Sequence, residues 1–213
     1  MTRALTDRIA ACTECAERFA ATATAHAPRP VTRISATARV LVAGQAPGAR
    51  VHASGIPFDD ASGDRLRDWM GVDRPTFYDA SRIAILPMAF CFPGYDAKGS
   101  DLPPPPVCAR LWRGQAMAAM PQVRLILLIG GHAQRWHLGK PHRKVSDVVR
   151  DWRGRLGASP ALLPLPHPSW RNTGWLKRNP WFDAEVVPWL RAALPPLLAS
   201  AAEGSCMQKA PEC

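Results

Sequence analysis

Four short apolar runs with almost no polar alternation, at residues 39–44, 83–90, 124–130 and 161–167, constrain this chain more than any other feature. A strand with one wet face alternates apolar and polar side chains, whereas a strand covered on both faces does not. Each run has the length of a strand. Helical patterns lie between them. Residues 62–70 open on a capping Ser62 and stop at Gly71. Residues 109–120 follow a proline run, and 132–138 end at Gly139. In 144–152, Val145, Val148, Val149 and Trp152 recur at helical spacing. Strands alternating with helices imply right-handed crossovers. The expected fold is therefore α/β, a three-layer α/β/α domain around a central four-stranded parallel sheet.

A chain of 213 residues accommodates one such domain with a full core. We expect a single domain over 1–198, in which 1–38 hold one helix around Cys12 and Cys15 and then an Ala/Thr/Pro-rich loop. Residues 199–213 read as an Ala/Ser-rich flexible tail, which sets Cys206 and Cys213 apart from the other cysteines. Residues 1–11 carry charges without a continuous apolar segment, so they do not read as a signal peptide. No stretch approaches the roughly 20 apolar residues that cross a bilayer. The expectation is a cytoplasmic monomer without a membrane partner, in a compartment where cysteines serve metals or redox chemistry rather than disulfides. The 27 Lys and Arg against 17 Asp and Glu give a formal charge of +10. That balance favours a polyanionic partner, nucleic acid being the commonest, over a basic composition set by coding bias.

In open parallel sheets ligands bind beyond the carboxyl ends of the strands. Here the four exits read Gly44-Gln45-Ala46-Pro47-Gly48, Cys91-Phe92-Pro93-Gly94, Gly130-Gly131-His132 and His167-Pro168-Ser169-Trp170-Arg171. Glycines at the first exit let backbone N–H groups approach a ligand, and Pro47 stiffens the loop. Phe58, just downstream in Gly55-Ile56-Pro57-Phe58, could stack on a flat ring or simply fill the core. His167, held between prolines at a strand end, could donate a hydrogen bond to charge developing on a leaving group, or be a satisfied structural histidine. Cys12-Thr13-Glu14-Cys15, Cys91 and Cys108 offer four thiolates, a set that suits either zinc or an iron–sulfur cubane.

Together these pieces resemble the uracil-DNA glycosylase superfamily, closest to its iron–sulfur family 4. Gly44 to Gly48, continuing through Gly55-Ile56-Pro57-Phe58 to Ser62-Gly63, is similar to the superfamily's first motif, and His167-Pro168-Ser169 is similar to its second. The order and spacing of the four cysteines match the family's cluster ligands. The resemblance implies a hydrolase that cleaves the N-glycosidic bond of uracil or another deaminated base in DNA, in base excision repair, after flipping the nucleotide from the stack. It implies that a [4Fe–4S] cluster rather than zinc sits on Cys12, Cys15, Cys91 and Cys108. His167 would bond the departing base and Phe58 stack on it. Gln45 and the backbone of Gly44, Ala46, Pro47 and Gly48 would meet its edge. Ser169 and Arg171 would grip phosphates, with Lys177 and Arg178 close by, and Trp170 or the Trp175-Leu176 pair would wedge into the gap left behind.

The chain also departs from the family. Ala46 stands where family 1 has an aspartate, and the stretch between the two halves of the first motif reads Ala49-Arg50-Val51-His52-Ala53-Ser54 in place of acidic residues. By elimination, His52 is the group there able to position water near neutral pH. The base-reading asparagine expected before the third cysteine is replaced by Ile85-Leu86-Pro87-Met88. Two other readings stay open: a damaged- or single-stranded-DNA-binding protein of the same fold with little or no glycosylase activity, which these departures motivate, and an enzyme acting on a small nucleotide or other non-DNA ligand.

Overall fold

The computed structural model describes residues 2–139 and 144–199. Two short helices, α1 (Thr2–Ala10) and α2 (Ala16–Ala20), precede the sheet. Strand β1 (Val40–Ala43) crosses to β2 (Ile83–Ile85) through α3 (Ala49–Ser54), α4 (Ala61–Met70) and α5 (Arg74–Tyr78). The next crossover holds α6 (Pro106–Cys108), a π-helical turn (Ala109–Arg113) and α7 (Gly114–Ala118), and leads to β3 (Leu125–Ile129). Then come α8 (Gly130–His137), α9 (Val145–Arg150), β4 (Ala161–Leu165), α10 (Thr173–Arg178) and α11 (Val187–Leu198). The sheet order is β2-β1-β3-β4, and all three pairings are parallel. The expected four-stranded α/β/α architecture is the observed one.

The missing polar alternation now has its cause. Val40 and Val42 of β1, with Leu125, Leu127 and Ile129 of β3, pack against Leu66, Trp69 and Met70 of α4 and Leu190 and Leu194 of α11. The intervening Leu41, Ala43, Ile126 and Leu128 face the opposite way, onto Leu5 and Ile9 of α1, Ala109, Ala116 of α7 and Ala133 of α8. Each strand alternates between two cores rather than between core and water.

Local expectations are corrected at three places. The run at 83–90 pairs only over Ile83–Ile85, because Pro87 has no N–H to extend the ladder. Met88 N–H instead donates to Gly44 O at 2.9 Å, and Ala89 N–H to Gln45 O at 3.0 Å. The cap of α4 is Asp60, whose side chain accepts from Gly63 N–H, and Ser62 lies inside the helix. The first two cysteines sit between two helices rather than within one, with Cys15 capping α2. Of the expected tail at 199–213, residues 200–213, with Cys206 and Cys213, lie outside the described residues. No helix among the described residues is long and apolar enough to cross a membrane.

One buried charge shapes the second core. Arg113, 1% exposed, donates from one guanidinium nitrogen to Leu86 O and Pro87 O, each at 3.1 Å. Its other terminal nitrogen meets His137 Nε2 at 2.6 Å. Arginine can only donate, so His137 accepts as a neutral ring. Burial, reinforced by the Arg113 charge, holds the His137 pKa down at about 3, from an ordinary 6.5. Below pH 6.5 the unfolded chain therefore binds more protons than the folded one at this residue. Stability, intact above that pH, is lost as the pH falls toward 3. At pH 5 the loss from this residue is expected to be on the order of 1–2 kcal/mol, and a His137→Gln variant should flatten the pH dependence of the urea midpoint over that window.

Candidate active site

The carboxyl ends of the strands open into a cleft of about 710 Å³, within the usual range for ligand sites. Gly44, Gln45, Ala46, Pro47 and Gly48 form one wall after β1, and His167, Ser169, Trp170 and Arg171 form another after β4. Phe58 is also in the lining, so the aromatic ring and the histidine share one cavity.

Phe58 is held in an unusual backbone state, φ 55°, which costs a non-glycine residue free energy. Its surroundings explain why the state persists. Phe58 O accepts from Tyr78 OH at 3.2 Å, and the Tyr78 hydroxyl lies 2.9 Å from Pro57 O. A Cβ on Gly63 would lie 1.8 Å from Phe58 O, so only glycine permits this approach. The ring meets Phe77 edge-on at 6.1 Å, and its tip would touch a Cβ on Gly44 at 3.3 Å. Phe58 is thus a fixed apolar part of the cleft lining.

His167 is oriented by its own loop. Ser169 N–H donates to His167 Nδ1 at 3.2 Å, and Asn172 Nδ2 donates to His167 O at 2.7 Å. Arg65, on α4, ties down the same loop through Ser169 O at 3.0 Å and Thr173 Oγ1 at 3.2 Å. Burial lowers the His167 pKa below its ordinary value of 6.5, against the upward pull of Asp60 and Asp101. The ring is therefore neutral at pH 7, and with Nδ1 accepting, its proton resides on Nε2. The outcome is a neutral donor held at the cleft.

Other expected residues separate. Trp170 is 73% exposed at the rim, with the Arg171 guanidinium 5.8 Å from its ring. Trp175 instead bonds Ser146 Oγ at 2.7 Å and packs edge-on against Trp181 and Phe182, and Leu176 packs on the core. That pair is occupied by packing, whereas Trp170 projects from the rim. His52 is not in the cleft lining. Its ring packs at 4.9 Å against His26 and at 6.0 Å against Phe92, and burial lowers its pKa. His52, expected to position water at the cleft, has its ring against His26 and Phe92 instead. Pro87 and Ile85 line the wall where an asparagine was sought. The structure adds Asp60, Ser62, Ser100, Asp101 and Asn172 to the polar lining. Asp60 could have been read from the sequence, since an Asp immediately before a helical pattern is a cap signal. Asp101 carried no such signal.

Cys12, Cys15, Cys91 and Cys108 line a second cavity, walled by Phe19, Pro30, Phe90, Pro105, Leu111 and Trp112. Burial pushes the Cys91 thiol up to about 12 and Cys108 up to about 11, and raises Cys15. Cys15, Cys91 and Cys108 therefore resist ionising together unless a cation joins them. Donors to sulfur are already in place: Phe90 N–H lies 3.4 Å from Cys108 Sγ, and Trp112 Nε1 lies 3.3 Å from Cys12 Sγ. Such bonds stabilise sulfur that carries negative charge. Among the described residues no three His, Cys, Asp or Glu side chains converge tightly enough to hold one bare ion. A tetrahedral zinc would need sulfurs about 4 Å apart, given Zn–S bonds of about 2.3 Å. Four thiols around a shared cavity form a donor set that accepts either zinc or an iron–sulfur cluster.

The model of one protein family, described as the uracil DNA glycosylase superfamily, matches residues 31–191. The match runs from ahead of β1 into α11 and includes every residue of the cleft, while Cys12 and Cys15 lie ahead of it. The parallel sheet, the cleft at its carboxyl edge and this match agree, and the chain belongs to the uracil DNA glycosylase superfamily.

Proposed function

We propose that the protein is a DNA glycosylase of base excision repair that hydrolyses the N-glycosidic bond of uracil or another deaminated base, acting as a cytoplasmic monomer. The observation that carries this reading is the convergence of Phe58 and His167 on one cleft, the first as a flat apolar floor and the second as a neutral donor. A base extruded from the stack would lie on Phe58, with Gln45 and the backbone of Gly44, Ala46, Pro47 and Gly48 along its edge. As the glycosidic bond breaks, negative charge develops on the base, and a hydrogen bond from His167 Nε2 stabilises it. Arg50 and Arg171 line the cleft, Ser169 lies beside them, and Lys177 and Arg178 lie on α10, a group suited to neutralising phosphates. The exposed Trp170 would fill the space that the base vacates.

The four cysteines would hold a [4Fe–4S] cluster, which supplies a structural tie between α2 and the segment from Cys91 to Cys108. Freshly purified protein is expected to be brown, with broad absorption near roughly 400 nm and about four irons per chain, from thiolate-to-iron charge transfer. A colourless preparation carrying one zinc per chain would assign the site to that metal.

The test of function is incubation with oligonucleotides containing uracil, hypoxanthine or xanthine, single-stranded and duplex, followed by strand scission at abasic sites. Scission at one of these bases supports the glycosylase. Pro87, in the cleft wall in place of an amide, favours the second reading, a DNA-binding protein with little or no catalysis. Salt-dependent binding with no abasic product would establish it. Affinity for duplex that ignores salt would discard both DNA readings.

A further inference from the structure

The segment leaving Cys91 folds back on itself before Cys108 in a tightly bonded turn. Asp96 Oδ1 accepts from the N–H groups of Lys98 at 2.8 Å and Ser100 at 2.9 Å, and Asp96 N–H donates to Ser100 O at 2.9 Å. Gly99, at φ 76°, makes the reversal. Tyr95 then bridges antiparallel to Asp101, and Leu102 N–H donates to Gly94 O at 2.9 Å. This turn places Ser100 and Asp101 in the lining of the cleft, together with Asp60, His167 and Arg171.

Most acids around this part of the molecule are committed. Asp59 pairs with Arg74, Asp64 with Arg67 and Asp68 with Arg191. Asp60 gives one oxygen to Gly63 N–H at 3.0 Å as the cap of α4. Among the described residues, no hydrogen bond or ion pair engages the Asp101 carboxylate. Its titratable and charged neighbours, Arg171, His167 and Asp60, act on it through space.

Resting on the glycosylase reading, we propose that Asp101 is the catalytic carboxylate that activates water in this cleft, the role for which the stretch between Gly48 and Gly55 supplies no acid. The C1′–N bond breaks, and its electron pair leaves with the base. A lone pair of the water oxygen forms the new bond to C1′. The water proton passes to Asp101 and from there to solvent, while the base anion takes a proton from solvent. The products are a hydroxylated abasic sugar and the free base, so the step is balanced by water alone. An uncommitted carboxylate on a rigid turn can accept that proton without first breaking an ion pair, and partial desolvation raises its pKa, making it a stronger base.

The experiment is single-turnover excision by the full-length protein, using the modified base that the unaltered protein releases fastest. Asp101→Asn removes the base while preserving shape, and Asp101→Glu returns a carboxylate displaced by one methylene. Asp101→Asn is expected to slow excision about 10²-fold. Its affinity for an oligonucleotide bearing a tetrahydrofuran abasic analogue should stay within about threefold, and Asp101→Glu should recover part of the rate. The turn is at the surface, so both variants should melt with the parent. An unchanged rate in Asp101→Asn overturns the proposal. So does an unchanged rate with tighter DNA binding, which would make Asp101 a screen for Arg171. A loss confined to Asp60→Asn would move the role to that residue and overturn the assignment. If the parent itself releases no base from any substrate, the glycosylase reading fails first and this inference falls with it.

Discussion

Replacing His167 with alanine is expected to slow base release by about 10²–10³-fold, the usual effect of removing a donor aimed at developing charge. The size follows from the state of the ring. Ser169 N–H occupies Nδ1, so the only polar atom His167 can offer the cleft is Nε2–H. Burial keeps the ring neutral, so it binds the anionic base without carrying a charge that would compete for phosphates. Because the pKa lies below 6.5, the same neutral donor persists as the pH drops past that value, and excision should not fall there through loss of the neutral ring. Protonation at lower pH would break the Ser169 bond to the ring. Oligonucleotide affinity in His167→Ala should change far less than the rate, since Arg65 and Asn172 still hold the loop backbone. Undiminished single-turnover excision would remove His167 from the chemistry.

Gly63→Ala is expected to be the most damaging small substitution in the fold, lowering stability by about 3 kcal/mol and the melting temperature by roughly 6–12 °C. An added Cβ would sit 1.8 Å from Phe58 O and 2.7 Å from Phe58 C, and both are backbone atoms that no rotamer change can move aside. Relief requires Phe58 to leave its φ of 55°, which breaks its bond from Tyr78 and lifts the ring from Gly44. Activity should therefore fall together with stability. Gly48→Ala is the matched control. A Cβ there meets nothing within 4 Å, and its melting temperature should move by no more than about 3 °C. Equal stability for the two variants would contradict the described approach of α4 to Phe58.

The two predictions mark different depths of legibility. His167 could be singled out from the chain because a histidine between prolines at the end of an apolar run sits at a strand exit, where α/β ligands bind. That Nδ1 would be occupied, and the proton left on Nε2, depends on the return of Ser169 and on burial, neither of which periodicity encodes. Gly63 was readable only as part of a motif. Its necessity arises from a contact with Phe58 that exists once α4 has docked.

Some residues pointed the wrong way for physical reasons. His52 stood out as the one titratable group near the first motif able to act at neutral pH, yet a six-residue helix, α3, turns it toward His26 and Phe92. Asp101 stood out not at all, because an aspartate after Lys98-Gly99-Ser100 looks like any solvated turn. Ser62 resembled a cap, and Asp60 took that place two residues earlier.

By itself the amino-acid order determined the layered architecture, the four strands and the edge of the sheet that carries ligands. Those properties follow from burial and hydrogen bonding along short stretches, and short stretches display their own period. Tertiary structure alone decided which polar groups share the cleft, which tryptophan stays free and how four distant thiols come to face one cavity. Such meetings depend on the lengths and angles of three crossovers added together, and a shift of one residue anywhere along them would aim each side chain somewhere else.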